Sequence, residues 1–156
     1  MTARIATPLG TAILTSAGGA LTRLVFDDYA SPDTTPPADE LLRVATTQLA
    51  EYFAGTRQSF TLPLAPVGTV FQQKVWAAMR AIPYGQTASY AQLAQNIGHP
   101  KAVRAVGSAC GKNPLVIFIP CHRVVRTDGG LGGFSSGLER KKSLHNIENI
   151  SIRRPS

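Results

Sequence analysis

Ser89-Tyr90-Ala91-Gln92-Leu93-Ala94-Gln95-Asn96-Ile97-Gly98-His99-Pro100-Lys101-Ala102-Val103-Arg104-Ala105-Val106-Gly107-Ser108-Ala109-Cys110-Gly111 reads as two short helices around a tight turn. Ser89 and Gln92 stand at capping-box spacing, where the hydroxyl accepts an N–H of the first turn and the glutamine reaches back. Leu93, Ala94 and Ile97 share the inner face of the first helix, Gly98 stops it, and Pro100 suits the first turn of the next. Val103, Val106 and Cys110 form the buried stripe of the second helix, which Gly111 closes. Two short helices joined this way are the helix-turn-helix pattern. The second is small-sided at Ala102, Ala105, Gly107, Ser108 and Ala109, so its backbone can approach a partner closely. Arg104 lies opposite Val103 and Val106, free to reach out.

Just upstream, Thr69-Val70-Phe71-Gln72 is another capping box, and Phe71, Val75, Ala78, Met79 and Ile82 line one helical face ended by Pro83-Tyr84-Gly85. Downstream of Asn113-Pro114, residues 115–119 are an unbroken apolar run, expected to be a buried strand that delivers the chain to Pro120-Cys121-His122-Arg123-Val124-Val125. Residues 127–137 hold five glycines and form a loop. Residues 138–147 return to helix and carry Arg140, Lys141 and Lys142, and the tail Arg153-Arg154-Pro155-Ser156 is expected to fray. The first third is built differently. Residues 5–9, 11–16 and 21–26 are short β-prone runs punctuated by Pro8-Leu9-Gly10 and Gly18-Gly19. After a loop at 31–39 with three prolines, Leu41, Leu42, Ala45, Leu49 and Tyr52 recur at helical spacing until Gly55, and residues 60–66 run extended. The reading is an α+β chain with a small N-terminal α/β domain, 1–66, and a mostly helical domain, 67–156.

The net charge of +7 is unevenly placed. Residues 1–70 carry four arginines against six acids, and residues 71–156 carry twelve Lys/Arg against three acids, so the second domain holds all of the basic excess. A basic helix-turn-helix domain points to a polyanion partner, duplex DNA. No stretch has the apolar length of a membrane span, no signal-peptide h-region opens the chain, and cytoplasmic residence is expected, or nuclear in a eukaryote. Two cysteines, Cys110 and Cys121, make no disulfide framework, and neither CxxC nor HxxxH spacing occurs, so no structural metal is expected. A cysteine fixed by a preceding proline and followed by His and Arg suits a nucleophile, because nearby positive charge or a base favours the reactive thiolate. Cys110, on an apolar stripe, reads as a structural thiol. His122 can serve Cys121 as base only if the chain turns after the cysteine, since neighbours in a strand face opposite ways.

The run Ile119-Pro120-Cys121-His122-Arg123-Val124-Val125 resembles the active-site signature of the O6-alkylguanine-DNA alkyltransferases. The resemblance extends over 68–72, Pro83-Tyr84-Gly85-Gln86-Thr87, Ser89-Tyr90, Leu93-Ala94, Arg104-Ala105-Val106-Gly107, Asn113-Pro114 and the helix reaching Glu148. It implies a ribonuclease-H-like N-terminal domain and a helix-turn-helix domain bound in the minor groove. It implies irreversible, once-only transfer of an alkyl group from O6 of guanine, or O4 of thymine, to Cys121, by a monomer that uses no cofactor. His122 is then the base, acting through a water and oriented by Glu148, while Asn113 holds the turn presenting the cysteine. Arg104 fills the gap left by the extruded nucleotide, and Tyr90 helps rotate it and meets the leaving guanine. Ser89, Lys101, Ala105 and Arg123 complete the DNA-binding surface. Gly133, Phe134, Ser135 and Val124 form the base pocket. The run Phe134-Ser135-Ser136-Gly137 departs from the family pattern, which has two glycines after the serine, and Asn149 replaces the glycine that usually follows Glu148. The zinc ligands of some members are absent. Rival readings are a lesion-binding relative without transfer, a DNA-binding regulator and a cysteine hydrolase. Cys121 argues against the first, the second leaves Pro-Cys-His-Arg unexplained, and the third lacks a separate histidine signal.

Overall fold

A computed structural model describes residues 1–151, and the basic tail from Arg153 to Ser156 lies outside them. The chain divides into two units. One is Met1–Val67 with Pro114–Val116, and the other is Gly68–Asn113 with the chain from Ile117 onward.

The first unit is a three-stranded antiparallel meander, β1 (Thr2–Thr7), β2 (Gly10–Ala17) and β3 (Ala20–Phe26), in sequence order. Gly18 and Gly19, both at positive φ, make the two-residue turn between β2 and β3, a geometry that side chains with a Cβ resist. A register shift at Thr15/Ser16 lets Leu21 and Leu24, an odd number of residues apart, both bury. Helix α1 (Glu40–Phe53) starts at Asp39, whose carboxylate accepts the Leu42 N–H at 3.0 Å, and buries Leu42, Ala45, Leu49 and Tyr52 against the sheet. The outer edge of β3 is closed by two single bridges, from Leu64 to Leu21 and from Leu115 to Leu24.

The expected strand at 115–119 is therefore not there. Only Leu115 bridges, and Ile117 then takes a left-handed φ of 75°, which turns the chain. All five residues are buried, and it is this all-round burial that makes the run resemble a strand in sequence.

The second unit opens with α2 (Val70–Arg80), whose Thr69–Gln72 capping box forms as read. Its buried residues are Val75, Trp76 and Met79. The indole of Trp76 donates to the Ala109 carbonyl at 2.9 Å, and Gly68 leaves space for the ring, since a Cβ there would lie 2.4 Å from it. Two residues of β4 (Ala88–Ser89) precede α3 (Tyr90–Asn96), where the Ser89–Gln92 capping box is also present. Helix α4 (Val103–Gly111) starts three residues beyond Pro100 and has no side-chain cap. It buries Val106, Ala109 and Cys110, with Val103 only half-buried. Helices α2, α3 and α4 pack on one another. A single 3-10 turn, Cys121–Arg123, then leads into β5 (Val124–Val125), which pairs in parallel with β4, and α5 (Leu138–Glu148) packs on that turn.

Candidate active site

The turn carrying Cys121 is held from both sides. Asn113 donates through Nδ2 to the Ile119 carbonyl at 2.8 Å, and the Arg123 N–H donates to the Pro120 carbonyl at 3.0 Å. Residues 121–123 form a tight 3-10 turn rather than a strand, so the chain turns at Cys121, as a base role for His122 requires. Parallel pairing of Ala88 with Val124 and Ser89 with Val125 fixes the start of α3, and so Tyr90, beside this turn.

Cys121 is buried and lines a cavity of about 130 Å³ with Tyr90, Gly107, Cys110, Gly111, Gly133, Phe134 and Ser135. Tyr90 and Gly133 also line a wider, open groove of about 920 Å³ with Arg104, Val103 and Arg126. The cavity thus adjoins, at Tyr90, Gly107 and Gly133, a groove that carries Arg104 and an Arg126–Asp128 ion pair. Burial pushes the Cys121 thiol up to about 11, against the lowering effect of the Asn113 hydrogen bond and of the Lys141 charge. Cys110 is pushed up to about 12 by burial and by Cys121. The Tyr90 hydroxyl is raised by burial and by Cys110, and a hydrogen bond from the Gly133 backbone lowers it in part.

Behind the cysteine lies a buried polar cluster. His122 Nε2 is 2.5 Å from Glu148 Oε2, with both side chains sealed from water. Glu148 Oε1 accepts from the Gly85 N–H at 3.1 Å and from Arg123 Nε at 2.9 Å, while Arg123 Nη2 donates to Oε2 at 3.2 Å. Burial lowers the His122 pKa, and Glu148 raises it in part, so the ring is neutral near pH 7. Its proton then sits on Nε2, facing the carboxylate. Nδ1 keeps its lone pair and has no hydrogen-bond partner among the described residues. An imidazole held this way by a carboxylate can accept a proton at Nδ1.

The structure brings together Cys121, His122, Glu148, Asn113, Tyr90, Gly133, Phe134 and Ser135. Arg104, Ala105 and Lys101 are exposed on and just before α4, and Ser89 is half-buried with its hydroxyl committed to capping α3. Two placements are corrected. Arg123 is buried, donating to Glu148 and, through Nη1, to the Ile82 carbonyl at 2.7 Å, with its guanidinium over the Tyr84 ring. It is not on a DNA-facing surface. Val124 is fully buried in β5 and does not line the cavity. Sequence reading passed over Lys141, His145, Gly85 and Gly132. The available signal was spacing, because Lys141, His145 and Glu148 fall at i, i+4 and i+7. Gly132, at φ +72°, is a close approach: a Cβ there would meet the Tyr90 hydroxyl at 3.0 Å and Lys141 Nζ at 3.4 Å. Among the described residues no group of three or more His, Cys, Asp or Glu is placed to hold a metal, and no helix is long and apolar enough to cross a membrane.

Residues 70–150 match the 6-O-methylguanine DNA methyltransferase, DNA binding domain, and residues 2–66 match the ribonuclease-like domain of the same methyltransferases. The chain belongs to the 6-O-methylguanine DNA methyltransferase family. Among its relatives, the constitutive methylated-DNA–protein-cysteine methyltransferase of Bacillus subtilis is 46% identical over 155 residues, 94% of each chain. The methylated-DNA–protein-cysteine methyltransferase of Methanosarcina acetivorans is 50% identical over 117 residues, 75% of each chain. The crystal structure of Mycobacterium tuberculosis OGT in complex with DNA is similar with a TM-score of 0.84 at 42% identity, covering 93% of this chain and 90% of that one. The α+β organisation expected from sequence, a small ribonuclease-like unit and a helical one, is that of the methyltransferase family.

Proposed function

We propose that this protein repairs duplex DNA by moving an alkyl group from O6 of guanine to Sγ of Cys121, once per molecule. The observation that carries the reading is the Cys121–His122–Glu148 arrangement behind Tyr90, at the end of a groove lined by Arg104. An O6-alkyl carbon lies within the base stack, so the nucleotide must leave the duplex, at a cost of a few kcal/mol. Arg104, exposed on small-sided α4, fills the gap, and the basic surface around Lys101 and Arg104 offsets the cost through phosphate contacts. The extruded base enters past Tyr90 and rests against Gly133, Phe134 and Ser135.

The thiol proton passes, through a water, to the bare Nδ1 of His122, and Glu148 stabilises the imidazolium through Nε2. Sγ then displaces purine oxygen at the alkyl carbon: an S–C bond forms, the C–O6 bond breaks, and the electron pair leaves with guanine. The Tyr90 hydroxyl meets that developing charge as a hydrogen-bond donor. Over the whole reaction the thiol proton ends on guanine. The thioether has no hydrolysable bond, so the cysteine is not regenerated. The work is done wherever the cell keeps its DNA, in a cytoplasm holding a nucleoid or in a nucleus.

The test is intact mass after mixing with a duplex carrying one O6-methylguanine. One methyl group on Cys121, with repair stopping at one equivalent, is expected. Unchanged mass despite tight binding would mean lesion recognition alone, and repair beyond one equivalent would rule out a consumed acceptor.

A further inference from the structure

The inner face of α5 buries three polar residues beside a single leucine, Leu144. Lys141, His145 and Glu148 lie on one stripe and are all buried. Each is committed to the segment that follows Cys121. Glu148 takes the side chains of His122 and Arg123. His145 Nε2 lies 2.5 Å from the His122 carbonyl; a carbonyl only accepts, so Nε2 carries the proton and donates. Lys141 Nζ donates to the Val124 carbonyl at 2.7 Å and to the Gly133 carbonyl at 2.9 Å. Residues 122, 123 and 124 are thus each held from α5, and Lys141 also ties down the glycine-rich loop that walls the cavity.

Burying an ammonium and an imidazole is expensive, so such groups are a weak source of stability even when hydrogen-bonded. Stability therefore gives no account of why Lys141 and His145 stand there, whereas geometry does: misplacing a reacting group by about 1 Å costs on the order of 100-fold in rate. We propose that Lys141 and His145 are positioning residues of the transfer reaction, fixing the backbone of the acceptor turn and pinning the glycine-rich loop against it. The inference rests on Cys121 being the acceptor.

The test separates rate from binding and from folding. In His145→Leu, duplex affinity should stay within about twofold and the protein should stay folded with a lower Tm, because the His122 carbonyl loses its donor, while the single-turnover rate at saturating O6-methylguanine duplex falls roughly 10- to 100-fold. His145→Gln places an amide N–H near the position of Nε2 and should restore most of that rate. In Lys141→Met, transfer should slow likewise, and amide hydrogen exchange across 127–137 should quicken, which His145→Leu should not cause. Wild-type rate in His145→Leu, or a folded His145→Gln as slow as His145→Leu, would overturn the His145 role. Unchanged loop exchange in folded Lys141→Met would overturn the clamp, and if that variant does not fold, the His145 pair decides. A wild-type protein that forms no Cys121 adduct would instead refute the functional reading itself.

Discussion

Replacing Arg123 with methionine should unfold the protein more readily without weakening its hold on phosphates. The guanidinium makes three hydrogen bonds in a buried setting, two to Glu148 and one to the Ile82 carbonyl. Methionine fills much of the space and supplies no donor. Glu148 would lose both guanidinium bonds while keeping the Gly85 N–H and His122 Nε2, and the Ile82 carbonyl would lose this donor. Removing one partner of a buried pair costs about 3–5 kcal/mol, a large share of the roughly 5–15 kcal/mol that holds a typical domain together. For a chain of this size that corresponds to a fall in Tm of roughly 6–20 °C. The DNA side of the experiment is a salt series. If Arg123 bound a phosphate, its removal would flatten the slope of log Kobs against log salt by about 0.9. Buried behind the cysteine, it should leave the slope unchanged, whereas Lys101→Ala, on the exposed surface, should reduce it. Anisotropy titrations from low to moderate salt, beside thermal denaturation, read both. An Arg123→Met protein with wild-type Tm and a flattened salt slope would refute the placement.

Two further outcomes are expected. Arg104→Ala should slow repair of duplex far more than reaction with free O6-methylguanine, with Tm nearly unchanged because the side chain is exposed; equal losses on both substrates would remove Arg104 from base extrusion. Stability should also fall on acidification. Burial lowers the pKa of both His122 and His145, so below about pH 6.5 the unfolded chain binds protons that the folded one refuses. The contribution is complete above that pH and is lost as pH falls through the window below it. The slope approaches about 2.7 kcal/mol per pH unit where both rings titrate only when unfolded. His145→Gln should roughly halve it in urea melts, and a flat profile from pH 6.5 to 5 would contradict neutral burial of the two rings.

What was legible in the sequence was local. Both capping boxes formed because a cap needs only residues three apart, and the stops at Gly55 and Gly98 depend on one residue's freedom at positive φ. Long-range roles were harder to read. Arg123 was placed toward DNA because a charged residue in a basic domain reads as surface; its partner Glu148 lies 25 residues away. The apolar run 115–119 gave no sign of the left-handed residue at Ile117, since hydrophobicity reports burial and not backbone angle. Helix α5 was found but its inner face was not, because a stripe of Lys, His and Glu has no apolar period to detect.

The sealed position of Cys121 has a consequence for a molecule that works once. With its thiol pushed up to about 11 by burial, the resting cysteine is protonated at pH 7. The agents that alkylate guanine also attack thiols, and they circulate wherever the damage is made. A cysteine ionised and open to solvent would be quenched by those agents before it met a lesion. Kept protonated in its pocket, it passes them by and reserves its single reaction for a base delivered into place.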